Sequence, residues 1–232
     1  MKLAIMQPYF LPYIGYYQLI SAADVFVVYD NIKYTKRGWI NRNRMSINGT
    51  DSVFSIPLKK DSDALNISER ELAAGFDREK FLNQFRGAYS RAPHFSETFS
   101  LLTKIVQFKE TNLFRYLHNA LLETCTHLRV DTEIRISSEI DVDQNLKGQD
   151  RVLAICQALG ATTYLNAIGG TQLYSREAFS DRGLGLHFIK SRPYSYTQFG
   201  TTFIPWLSII DVMMFDFPDR ITHTINGGYD LI

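Results

Sequence analysis

The chain predicts an α/β protein built on a mostly parallel sheet with one helical insertion. Three observations carry that reading. A strand, a helix and a second strand fit within the first thirty residues, which is the unit from which parallel sheets are made. The strand candidates are apolar along their length, as expected where a sheet is covered on both faces. Three helical stripes then stand between about residues 75 and 130, after which the strand–helix rhythm resumes. The arrangement is Rossmann-like. No Gly/Ser/Pro-rich linker interrupts it, so residues 1–232 read as a single domain with the helical insertion inside it.

Leu3-Ala4-Ile5-Met6 is the first strand, and Gln7 to Pro12 is a turn with two prolines. Ile14 to Ala23 reads as a helix, and Asp24 to Tyr29 as a second strand that stops at Asp30-Asn31. These two strands are expected to be parallel neighbours. After a basic segment, Ser52 to Pro57 alternates as a strand does. Phe81, Phe85 and Tyr89 mark the first inserted helix. Phe99, Leu102, Ile105 and Val106 mark the second, with Ser96 as its expected N-cap, and Leu113, Leu117, Leu121 and Leu128 the third. Glu133 to Ile136 is a strand, Arg151 to Leu159 a helix ended by Gly160, and Thr163 to Ala167 a strand followed at once by Gly169-Gly170. A short helix near Ser175 to Ser180, a strand from Leu184 to Ile189, an irregular stretch and a last helix near Pro205 to Phe215 complete the pattern.

Apolar residues make up 45% of the chain and charged residues 21%, with a net charge of +1. That balance excludes the broad positive surface a nucleic-acid duplex requires. The basic cluster Lys33 to Arg44, interleaved with Tyr34 and Trp39, suits a small anionic ligand instead. Cys125 and Cys156 lie on helix-periodic apolar stretches without metal-site spacing, and both read as reduced core residues. No run of about 18 apolar residues and no secretory leader pattern is present, so the expectation is a cytoplasmic protein without a membrane partner. The five histidines form no HxH or HExxH pattern, which argues for no metal, and no P-loop or GxSxG elbow occurs. The sequence leaves the cofactor unknown.

Ligands of open parallel sheets bind beyond the carboxyl ends of the strands. That rule selects Gln7-Pro8, Asp30-Asn31, Ser137-Ser138 and Ala167 to Gly170. Gln7 and Asp30 should share one sheet edge, within reach of one small ligand. Asp30, near Lys33 and Arg37, could take a ribose hydroxyl or an ammonium group, act as general base, or simply cap a turn. Trp39-Ile40-Asn41-Arg42-Asn43-Arg44 combines a stacking plane with amides and guanidinium groups; it reads as a ligand-binding segment or as a helix face with one core Trp. Lys36 or Arg42 would meet a phosphate. Gly169-Gly170 could cradle phosphate or make a plain turn. Asp211, in an apolar helix, needs either a structural partner such as a Tyr hydroxyl or a role as a base of raised pKa.

Several blocks resemble the WbqC-like family. They are Gln7-Pro8-Tyr9-Phe10-Leu11-Pro12-Tyr13-Ile14-Gly15-Tyr16, the stretch from Ala23 to Asp30, Lys36 to Arg44, Arg135 to Glu139, Cys156 to Ala161, Pro193-Tyr194 with Gln198, and Phe203 to Asp211. The resemblance spans nearly the whole chain. It departs at Asn166 to Gly170, where a shorter Ser-Gly-type turn would be expected. Tyr13-Ile14-Gly15-Tyr16 also stands where one class of nucleotidylyltransferases carries His-x-Gly-His. Two tyrosines there cannot supply imidazolium charge, so the nucleotide geometry could persist without adenylyl transfer, or the tyrosines could merely pack.

The resemblance implies a place in surface-polysaccharide biosynthesis, such as O-antigen and lipopolysaccharide assembly. It implies a transferase that joins a glycyl-like or related acyl group to the amine of a nucleotide-linked amino sugar. Asp30 is the first expected base and Asp211 the second, with Gln7, Tyr9, Tyr13, Gly15, Tyr16, Asn31, Tyr34, Lys36, Trp39, Asn41, Arg42, Gly169, Gly170, Tyr194 and Gln198 around the substrate. The competing readings are a non-catalytic nucleotide- or sugar-binding protein and a nucleotidylyltransferase or ligase.

Overall fold

The computed structural model describes residues 1–232. Its central sheet has six strands in the order β5-β2-β1-β6-β7-β8. These are β1 (Lys2–Met6), β2 (Val25–Val28), β5 (Glu133–Ile136), β6 (Thr163–Ala167), β7 (Gly185–Ser191) and β8 (Tyr229–Leu231). All neighbours are parallel except β7 and β8. The first two strands pair as expected, with Leu3 opposite Val25 and Ile5 opposite Val27.

Strand periodicity divides the interior in two. Ala4, Phe26, Val28, Leu165 and Ile189 point into one core. Leu3, Ile5, Val25, Val27, Tyr164 and Phe188 point into the other. The first core is covered by α1 (Ile14–Ala22) and by three helices that precede β5 in the chain: α2 (Arg78–Tyr89), α3 (Phe95–Val106) and α4 (Leu113–His127). It is also covered by α7 (Ile209–Phe215) and α8 (Pro218–Gly227). The second lies under α5 (Gly148–Ala158) and α6 (Arg176–Ser180). Side-chain caps set several helix starts: Asp77 accepts from the Lys80 amide, Asn112 from Arg115 and Ser175 from Ala178. Gly160 follows α5 with φ +67°, the left-handed turn that ends a helix.

The structure corrects several sequence expectations. The basic segment is not a helix face: Arg42–Ile47 is β3, paired antiparallel with β4 (Thr50–Ser55) through the turn Asn48-Gly49. Both turn residues have positive φ, 52° and 72°, as a two-residue hairpin requires. Ser96 does not cap α3, because the helix starts two residues earlier, at Phe95, and His94 holds the cap position. The last predicted helix begins at Ile209 rather than Pro205, since Trp206 takes φ +60°. The chain then makes one more helix and an antiparallel strand.

This topology positions the site. From β1 the chain steps to β2 and later to β5 on one side, then returns to β6 on the other. The crevice between the carboxyl ends of β1 and β6 is therefore the switch point.

Candidate functional site

The turn after β1 is held under strain. Leu11 is buried and has φ +47°, which is unfavourable for a branched side chain. Its carbonyl accepts from Asn43 Nδ2 at 3.0 Å and Ser208 Oγ at 2.7 Å. The Phe10 amide donates to the Ile40 carbonyl at 3.0 Å. Contacts from β3, from the loop before it and from the start of α7 thus over-determine the turn, as strained segments need.

Gly15 follows from what surrounds it. A β-carbon there would stand 2.3 Å from the Tyr13 ring and 2.6 Å from Ser191 Oγ. The two tyrosines of the Tyr-x-Gly-Tyr block part company. Tyr16 is buried and donates its hydroxyl to the Gln7 carbonyl at 2.8 Å. Tyr13 forms part of a cavity wall.

That cavity, about 610 Å³, opens beyond the carboxyl end of β7, beside the switch point. Its walls include Tyr13, Ile168, Ser191, Tyr194, Tyr196 and Trp206. A smaller one, about 250 Å³, adjoins it between Tyr9, Tyr13, Trp39, Arg44 and Trp206. Tyr13 and Trp206 belong to both and meet edge-to-face, with ring centroids 5.8 Å apart. The two spaces are therefore compartments of one aromatic cleft. Trp206 is 55% exposed and Trp39 40%, so both indoles offer a face that no core packing uses. Of the two cations lining the larger compartment, Arg192 is bound to Asp230 at 2.6 Å. Lys190 is exposed with no carboxylate in ion-pair range.

Two buried carboxylates stand behind this wall. Asp211, fully buried, accepts from Tyr89 Oη at 2.6 Å, Tyr196 Oη at 2.7 Å and Gln198 Nε2 at 3.0 Å. Burial raises its pKa above the ordinary carboxylate value, and these three donors oppose the rise. Burial, and then the charge of Asp211, raises the Tyr196 hydroxyl. Asp216 accepts the Tyr194 hydroxyl, the Phe217 amide at 2.9 Å and an Arg220 ion pair at 3.2 Å. The strap from Arg192 to Ser208 is thus pinned at two tyrosines. Gln198 pins it again through the Ile204 amide and carbonyl.

The other expected site residues are distributed differently. Gln7, Asp30, Asn41 and Arg42 are not brought into one cavity. Asn41 is bound to Tyr34 Oη and the Ile56 carbonyl. Arg42 donates to the carbonyls of Gly38 and Arg37 and stacks over Trp39 at 5.5 Å. Lys36 is exposed and paired with Asp63. Gly170 is required because a β-carbon would come 2.7 Å from Asn166 Oδ1, whereas Gly169 has open space. Asp30 lines a separate cavity of about 490 Å³ at the carboxyl ends of β2 and β5, with Asn31 beside it, linked through Ser137 Oγ. Sequence reasoning did not select Lys190, Ser191, Tyr196 or Trp206. The alternation of Tyr194 with Tyr196 and the Trp206 within a resembling block were the available signals.

The model of the WbqC-like protein family matches residues 7–223. The uncharacterized protein Rv1507c of Mycobacterium tuberculosis (strain ATCC 25618 / H37Rv) is 27% identical over 215 residues. That match covers 91% of this chain and 92% of the relative. No solved structure matches.

Proposed function

The chain belongs to the WbqC-like protein family, and on that footing we propose that it is a transferase acting on a nucleotide-linked amino sugar. It would join a glycyl-like or related acyl group to the sugar amine in surface-polysaccharide biosynthesis. The observation that carries the reading is the aromatic cleft beside the switch point of the sheet. Exposed Trp206 and half-buried Tyr13 give planes on which a base or sugar ring stacks. Lys190 supplies an unpaired cation for a phosphate at the same rim.

Amide formation needs the amine as a free base. In this reading the nitrogen lone pair forms the bond to the acyl carbon and the bond to the acyl leaving group breaks. The amine proton passes to Tyr196 Oη while the Tyr196 proton moves to Asp211, 2.7 Å away. A carboxyl of raised pKa suits that final acceptor. Asp30 lies at the other cavity, which supports Asp211 over Asp30 as the proposed base. The non-catalytic alternative draws support from the fact that Asp211 reaches the cleft only through Tyr196.

The test is a tryptophan-fluorescence titration with nucleotide sugars, followed by turnover assays. Trp206→Ala should weaken binding about tenfold or more while leaving the melting temperature nearly unchanged, because the indole is half exposed. Asp211→Asn should keep binding and lower turnover roughly 100- to 10,000-fold. Unchanged affinity in Trp206→Ala removes the cleft from the reading. Full turnover in Asp211→Asn removes the relay.

A further inference from the structure

The cavity at the carboxyl ends of β2 and β5 has a chemistry unlike that of the aromatic cleft. It lies three strand spacings of about 4.8 Å, roughly 14 Å, from the end of β7. Its wall includes Asp30, Asn112, Arg115, His118, Asn119 and Glu139. Asp30 is only 3% exposed. Both of its side-chain hydrogen bonds fall on Oδ1, from Ser137 Oγ at 2.9 Å and the Ser138 amide at 3.0 Å. Its Oδ2 has no partner, and no cation of the protein pairs with it. It is not among the side-chain atoms sealed from solvent, so it opens onto the cavity, where a cationic group can reach it.

His118 adds a second unpartnered atom on the same side of the sheet. Its Nε2 is shut off from solvent without a hydrogen-bond partner. Burial lowers the pKa of the ring, while Glu139 and Asp30 pull it upward. Both influences from the cavity wall are thus negative. The one lining cation, Arg115, is largely exposed and lies 3.9 Å from Glu110. An anion would face two carboxylates there, and a cation would meet both. The side chain of Asn119 is free of hydrogen bonds and would serve hydroxyl groups.

We propose that this cavity is a second ligand site, separate from the aromatic cleft, for a small hydroxylated primary amine in its protonated form. The ammonium group is held by Asp30 Oδ2 and Glu139, and its hydroxyls by the amide-bearing wall. Charge-assisted bonds of this kind are the stronger class, so the charge rather than the hydroxyls sets the affinity. The site is independent of the proposed transfer reaction, and it is tested by binding alone.

The experiment is an NMR titration with 2-amino-1,3-propanediol and, as its uncharged counterpart, glycerol. The amine should saturably shift the Ser138 amide and the His118 ring resonances, with glycerol at least about tenfold weaker, the scale of one charge-assisted bond. Asp30→Asn should weaken the amine by about the same factor. Because Asp30 is buried and its loss could unfold the protein, Glu139→Gln, at an exposed position, is the second variant and should also weaken it. Equal binding of glycerol, shifts confined to other residues, no saturable shift at all, or unchanged affinity in Glu139→Gln would each overturn the assignment.

Discussion

Gly15 shows how a single residue couples packing to the site. Replacing Gly by Ala inside a helix ordinarily stabilises by about 1 kcal/mol. Here the new β-carbon would lie 2.3 Å from the Tyr13 ring, and overpacking of that kind costs about 1–3 kcal/mol. The clash should win. Gly15→Ala is expected to lower stability by about 1 kcal/mol in urea unfolding and to weaken ligand binding by pushing Tyr13 into the cleft. A gain in stability would show that the ring swings aside freely. Asp211 supports a pH expectation. Its folded pKa is raised above the unfolded value, so between the two values the native state holds more protons and stability falls as pH rises. The contribution is full below the unfolded carboxylate range and lost above the raised value. The melting-temperature difference between wild type and Asp211→Asn should therefore shrink as pH increases through that window. The sequence made Asp211 conspicuous as a carboxylate among apolar neighbours. It did not reveal Tyr89 and Tyr196 as its partners, because those lie 122 and 15 residues away.

At the scale of elements, the hairpin β3–β4 depends on its turn. Asn48 and Gly49 both sit at positive φ, a region that costs an ordinary L-residue about 1–2 kcal/mol. Gly49→Ala should lose about that much, measured by chemical denaturation, and no cleft contact should change directly. The Asn-Gly pair between Ile47 and Thr50 was a legible hairpin signal. The basic composition of the preceding segment drew attention to ligand binding, yet Asn41, Arg42 and Asn43 hydrogen-bond to main-chain carbonyls around the hairpin. The strap from Arg192 to Ser208 is the opposite case. It has no periodicity to announce it, and its conformation is set by buried carboxylates on α7 and at the α7–α8 junction. Tyr194→Phe removes one such bond, to Asp216. It should destabilise by about 1–3 kcal/mol, since it deprives a buried carboxylate of a donor.

At the scale of the whole molecule, the alternation of β1 and β2 side chains joins two cores through one sheet. Each core holds one thiol. Cys125 lies in the helical core and Cys156 under α5, and burial pushes each pKa up to about 12. Both should resist thiol reagents in the native state. If the cores unfold together, the two should become reactive at the same denaturant concentration, measured by mass spectrometry of labelled peptides. Earlier labelling of Cys156 would show that the sheet does not couple them. No helix is long and apolar enough to cross a membrane.

The sequence by itself determined the parallel αβ plan, the inserted helices and the membership of the family. Local periodicity and contiguous blocks such as Gln7 to Tyr16 encode those properties, and neither needs knowledge of distant neighbours. It also singled out the carboxyl ends of the strands as the edge where a ligand is expected. Only the tertiary structure decided which of those ends share a cavity. Gln7 and Asp30 end adjacent strands, yet the return of the chain to β6 puts the switch point on the far side of β1 from Asp30. Asp30 consequently faces α4 and His118, while Tyr13 faces Ser191, Tyr194 and Trp206. Strand order is set by which apolar faces bury best against which helices. That is a sum over contacts hundreds of residues apart, and no local pattern carries it.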